Sequence, residues 1–133
     1  MRKVTLIGCG KKKLPHLAKA KDLYIGQLFK FSRGYAERST PNSWAILSAK
    51  YGLLLPDDLI APYDITLTTM SKEQRANWGA LVLSKILTTF PESSFQIIAG
   101  SAYTEPLIKL SANILFPNLP IGKKLKALKD ALR

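Results

Sequence analysis

Three short apolar runs punctuate the chain: residues 3–8 (KVTLIG), 44–49 (WAILSA) and 95–100 (FQIIAG). Their length, β-branched content and terminal small residues predict buried strands that hand over to loops. After the first run, Leu23, Leu28, Phe31 and Tyr35 fall at helical spacing, which predicts a helix over residues 23–39 with Gly26 and Gly34 lowering its propensity. Ser71 followed three positions later by Gln74 is a capping box, and Trp78, Leu81, Val82 and Ile86 then predict one buried face on a second helix. Pro106 suits the first turn of a third helix, starting near Thr104 or Glu105. The segment 116–122 (FPNLPIG) breaks it, and Leu125, Leu128 and Leu132 form the apolar stripe of a last helix whose Lys123, Lys124, Lys126 and Lys129 are either a solvated face or holders of phosphates.

Strands alternating with helices imply an α/β fold with a mostly parallel sheet and helices on its faces. The expectation is a single compact domain, residues 1–133, around a central sheet of three to four strands. No internal repeat, low-complexity tract or interdomain linker interrupts it.

Composition narrows the class. An apolar fraction of 47% with 22% charged residues belongs to a globular chain rather than a disordered one. With one cysteine, Cys9, no intramolecular disulfide forms, and one histidine, His16, does not make a His-rich zinc site with it. The apolar run VTLIGCG is short and ends in lysines rather than at a cleavage site, and no stretch approaches the roughly 18 apolar residues that cross a bilayer. A reducing cytoplasm is therefore the expected compartment.

Charge changes the picture most. Twenty lysines and arginines face nine acidic residues, a net charge of +11. Such an excess on a small surface favours polyanions through counterion release and steering, so nucleic acid leads the partner classes. Solubility alone and an anionic membrane surface are the other outlets for the same charge.

In open α/β sheets, ligands gather beyond the carboxyl ends of the strands. Three loops leave strands there. Gly8, Cys9, Gly10, Lys11, Lys12 and Lys13 combine backbone that can approach an anion with ammonium groups that neutralise it. The P-loop spacing and the third glycine of a dinucleotide fingerprint are missing, so no cofactor and no metal are expected. Cys9 is a candidate nucleophile or a small residue closing a strand. The second loop carries Ser48, Lys50, Tyr51, Asp57, Asp58, Tyr63 and Asp64, where carboxylates offer general bases and tyrosines offer stacking faces and hydroxyls. The blander reading gives Asp57 and Asp58 turn or cap roles after Pro56, with Tyr63 as packing. The third loop, Gly100 to Glu105, brings Ser101 and Tyr103 to the same rim, or is an ordinary strand-to-helix turn.

These residues resemble the signature of a small uncharacterised family with a C-x-K-x-K loop (Cys9, Lys11, Lys13), an LY…LF pattern (Leu23, Tyr24, Leu28, Phe29) and ILSAKYGLLxPDxxIxPYDxTL across residues 46–67. The YGLL…PY portion also resembles the YaaA peroxide-stress proteins, DNA-binding proteins with a related α/β core reminiscent of uracil-DNA-glycosylase-like folds. The resemblance covers roughly the first half of the chain. Neither a GQDPYH-like loop nor a histidine-bearing HPSPL loop is present.

The resemblance implies recognition of a nucleobase in DNA, single- or double-stranded, and cleavage of an N-glycosidic bond. The expectation is thus an N-glycosylase that excises a modified or damaged base, with a non-catalytic DNA-binding stress or defence protein as the alternative and a nucleotide-processing enzyme as a third reading. In that scheme Asp64 orients water or stabilises the sugar cation, with Tyr63 and Lys11 beside it. Gly8, Cys9, Gly10, Lys13, Tyr24, Ser48, Tyr51, Asp58 and Ser101 bind substrate, and an extruded base stacks on Tyr51 or Tyr63.

Overall fold

The computed structural model describes residues 1–117 and 119–133. Asn118, within the segment expected to break the chain before its last helix, lies outside the described residues.

Each apolar run is a strand: β1 (Arg2–Gly8), then β3 (Trp44–Ser48) and β6 (Ser93–Ile98) on either side of it. Both pairings are parallel, with Thr5 opposite Trp44 and Val4 opposite Phe95. Among the described residues the sheet has five strands, with β4 (Gly52–Leu54) and β7 (Asn113–Ile114) at its edges in the order β4-β3-β1-β6-β7, more than the three to four that the hydrophobic runs predict. The additional strands are short: β4 is antiparallel to β3, and β7 is parallel to β6. Neither is long enough to register as an apolar run. A two-stranded antiparallel ribbon joins β2 (Ala18–Lys19) to β5 (Leu59–Ile60).

Period-two alternation sends β1 residues to opposite faces. Val4, Leu6, Ala45, Leu47, Phe95 and Ile97 pack under α3 (Lys72–Thr89), whereas Ile7, Trp44, Ile46 and Ile98 pack under α2 (Gln27–Ser39) and α5 (Ile121–Ala131). The result is three layers with both faces of the sheet covered.

The helices depart from the expected bounds for physical reasons. Gly26 occupies the N-cap position of α2, so Leu23 belongs to a separate single turn, α1 (Ala20–Leu23). The capping box of α3 forms as predicted: Gln74 N–H donates to Ser71 Oγ at 3.1 Å, and Ser71 N–H donates to Gln74 Oε1 at 2.9 Å. Its buried stripe, however, runs through Trp78, Gly79, Val82 and Ile86, and Leu81 is 75% exposed. Gly79 explains the rotation. A Cβ there would lie 2.5 Å from Pro106 Cβ, so the missing side chain lets the segment around Pro106 close onto that flank.

The third predicted helix starts earlier, as α4 (Ser101–Thr104), and passes into a 3-10 helix over Glu105–Leu110 that is kinked at Leu107 and gives way to β7. In α5, Leu128 is fully buried and Leu125 and Leu132 are half-buried, so the stripe docks the helix against α2. No helix among the described residues is long and apolar enough to cross a membrane.

Candidate active site

From β1 the chain crosses to β3 on one side and later reaches β6 on the other, so strand order reverses between β1 and β6. The loops leaving these two strands diverge there, which opens a crevice at their carboxyl ends. They start in close contact, since a Cβ on Gly8 would lie 3.1 Å from Ala99 Cβ. Cys9 N–H donates to Leu47 O at 3.0 Å and ties the exit of β1 to β3.

Two adjoining cavities occupy the crevice and share Cys9, Gly10 and Tyr103 as walls. The larger, about 300 Å³, is mixed in character and receives Lys11, Lys13, Asp64, Thr66, Thr68 and Thr69. The smaller, about 90 Å³, is largely apolar and is bounded by Gly8, Leu28, Phe29, Ile98, Gly100 and Lys124.

Local backbone bonds aim the lysines. Leu14 N–H donates to Leu23 O at 2.8 Å and Ile25 N–H to Lys12 O at 3.0 Å, which pins the basic loop against the entry to α2. Lys13 Nζ consequently sits 4.4 Å from the centroid of the Tyr63 ring and donates to Lys11 O at 3.2 Å. Asp64 is exposed and makes no ion pair among the described residues.

Behind the cavities runs a buried relay of hydroxyls. Tyr51 N–H donates to Ser48 Oγ at 3.0 Å, Ser48 Oγ–H donates to the Tyr63 hydroxyl at 2.8 Å, and the Tyr63 and Tyr24 hydroxyls are 2.7 Å apart. Trp78 Nε1–H fixes the end of β3 by donating to Ser48 O at 2.9 Å. Burial, the largest cause, pushes the Tyr24 hydroxyl up to about 12. Burial and then the neighbouring Cys9 push Tyr63 and Tyr103 well above the ordinary phenol range. All three are neutral at physiological pH and serve as hydrogen-bonding groups. Cys9 Sγ lies 3.4 Å from the Tyr103 hydroxyl.

The structure brings Cys9, Gly10, Lys11, Lys13 and Asp64 to one cavity, with Gly8 on the adjoining one and Tyr24, Ser48 and Tyr63 in the wall behind. It does not bring Tyr51, Asp58 or Ser101 there. The Tyr51 ring meets Tyr63 edge-on at 5.5 Å, donates its hydroxyl to Ala61 O at 3.2 Å and lines a separate hollow beside Trp78. Asp58 Oδ2 accepts from Leu55 N–H at 2.8 Å, a turn bond, and faces a hollow near Arg2 and Phe90, at the amino ends of the strands. Its neighbour Asp57 pairs with Lys21 at 3.1 Å and with Lys19 at 3.6 Å; the hydrogen bond from Lys21 holds its carboxyl below the usual range. Ser101 is exposed at the start of α4.

Sequence reasoning left the three threonines out of the site and grouped Lys124 with the other lysines of the last helix as a holder of phosphates. The run TLTT directly after PYD was the available signal for the former, because hydroxyls beside a carboxylate at a loop end suit a polar ligand. No local signal separates Lys124 from its three neighbouring lysines. Among the described residues no group of three or more His, Cys, Asp or Glu side chains comes together as a metal site requires.

The chain is 37% identical over 76 residues to the "Uncharacterized protein YfjM" of Bacillus subtilis (strain 168), covering 52% of this chain and 50% of that protein. The chain thus spans about half the length of this curated relative. No solved structure matches it. The family model for the Family of unknown function (DUF6884) matches residues 4–130, all but the outermost residues of β1 and α5 and including both cavities, and the chain belongs to that family.

Proposed function

We propose that this protein binds DNA and acts on a nucleobase at the crevice, as an N-glycosylase that excises a modified or damaged base. The observation that carries this reading is the shared cavity of about 300 Å³ in which Lys11 and Lys13 face the unpaired carboxylate of Asp64. Two ammonium groups neutralise phosphates on either side of a nucleotide. A base in a duplex is out of reach of such a pocket, so the nucleotide enters extruded. As the bond to the base breaks, the base leaves with the electron pair and takes a proton from solvent. Water attacks C1′, and its proton passes to the Asp64 carboxylate, which also stabilises the cationic sugar. The hydroxyls of Thr66, Thr68 and Thr69 supply further hydrogen bonds. The resemblance of the YGLL…PY segment to the YaaA DNA-binding proteins supports the nucleic-acid side of this reading.

A second reading, a DNA-binding protein without catalysis, is favoured by the free cations. Among the described residues ion pairs engage Lys19, Lys21, Arg33 and Arg133 and leave the other cationic side chains unpaired.

The test is incubation with a panel of DNAs carrying normal, damaged and phage-type modified bases, followed by scoring of abasic sites. Release of one class of base is the expected result. Tight, salt-sensitive binding with no release from any DNA would establish the second reading instead.

A further inference from the structure

The smaller cavity contains one cation, and it comes from the far end of the chain. Lys124, in the first turn of α5, lines the slot of about 90 Å³ together with Gly8, Cys9, Gly10, Phe29 and Tyr103. The helix is held there by Leu128, which is fully buried on the α2 side of the sheet, and by Arg38, whose Nη1 donates to Leu132 O at 2.6 Å. Lys124 is half-buried and has no carboxylate partner among the described residues.

Lys11 and Lys13 stand in a different setting. Lys11 is exposed in the larger chamber, and Lys13 lies over an aromatic ring, an arrangement that employs an ammonium. An apolar slot disfavours the charged form and so favours the free amine, the form a lysine nucleophile needs. Burial accordingly lowers the pKa of Lys124. Because the two cavities share Cys9, Gly10 and Tyr103, Lys124 and Asp64 border adjoining parts of one crevice.

From this geometry we infer that Lys124 is an amine nucleophile that forms a Schiff base with the deoxyribose C1′, so that the site cleaves abasic strands as well as releasing bases. The inference rests on the glycosylase reading and extends it. At an abasic site the free amine adds to the C1′ aldehyde, and the resulting carbinolamine takes a proton from solvent and loses its hydroxyl as water to give a protonated imine. A proton then passes from C2′ to solvent water, and the 3′ phosphate departs with the electron pair of its C–O bond. Hydrolysis of the imine returns the lysine, and no oxidant or reductant takes part.

The experiment uses the full chain and an oligonucleotide carrying one preformed abasic site, with sodium borohydride added to reduce any imine. The expected result is a covalent protein–DNA adduct that falls about tenfold or more in Lys124→Gln and Lys124→Arg and persists in Lys123→Gln. Lys124→Arg keeps a long basic side chain that can still meet a phosphate but has no amine able to form an imine, so a loss there reports the amine. No adduct with the unmodified chain, or an adduct undiminished in Lys124→Arg, would overturn the inference. Since the abasic site is supplied, failure to release any base in the panel assay leaves this outcome readable, and the two readings fail separately.

Discussion

The hydroxyls of Tyr24 and Tyr63 meet at 2.7 Å across 39 positions of sequence. That bond joins the entry to α2 to the end of the acidic loop and fixes the wall against which Lys13 lies. Both phenols are buried enough to resist ionisation, Tyr24 up to about 12.

An alkaline limit to stability follows. A tyrosine whose folded pKa is raised keeps its full contribution below the unfolded value, 10.0, and loses it as pH rises toward the folded value of about 12. Urea midpoints measured from pH 7 to 12 should stay level to about pH 10 and then fall, by roughly 2–3 kcal/mol for Tyr24. Tyr24→Phe should be less stable than the parent at neutral pH and show a shallower alkaline decline. An equally steep decline in Tyr24→Phe would remove Tyr24 from the effect.

Gly79 and Pro106 give a second expectation. Alanine is the better helix former, by about 1 kcal/mol on propensity alone. Its Cβ would nevertheless fall 2.5 Å from Pro106 Cβ and 2.6 Å from Pro106 O. Gly79→Ala should therefore destabilise the protein by about 1–3 kcal/mol, read from chemical denaturation, rather than stabilise it.

Binding to DNA should depend on salt through the lysines at the crevice. Each phosphate neutralised contributes a slope of about −0.9 to the plot of log affinity against log salt concentration. Lys11→Gln and Lys13→Gln should each make that slope shallower by about one such step. Asp58→Asn, at the other end of the sheet, should leave both slope and affinity unchanged within about twofold. The measurement is fluorescence anisotropy at several salt concentrations.

The parts of the fold legible in sequence are those carried by local chemistry. The capping box at Ser71 and Gln74 and the three apolar runs needed no distant partner to be recognised. The strand β4 was hidden because Gly52, at φ +77°, turns the chain straight back onto β3. Likewise the buried polar cluster in which Gln96 Nε2 donates to Thr5 Oγ1 at 2.7 Å and to Ser39 Oγ at 3.0 Å spans up to 91 positions and leaves no periodic trace.

The site divides the same way. Lys11, Lys13 and Asp64 are grouped by the general rule that loops converge beyond the carboxyl ends of parallel strands. Asp58 and Asp64 look alike in sequence, yet Asp58 is drawn into a turn bond with Leu55 N–H and Asp64 is left free. Tyr51 lies in the same signature but lines a separate hollow beside Trp78, with Gly52 starting the chain reversal immediately after it. Which of two equivalent side chains enters a cavity depends on tertiary geometry that spacing does not encode.

The central claim is that the Asp64 carboxylate serves base release from DNA. The direct measurement is the single-turnover rate of base release from the best DNA of the panel, with Asp64→Asn compared at matched saturation. A fall of about 10²–10⁴-fold with DNA affinity retained is the predicted result. An Asp64→Asn protein that releases the base at the parent's rate would contradict it.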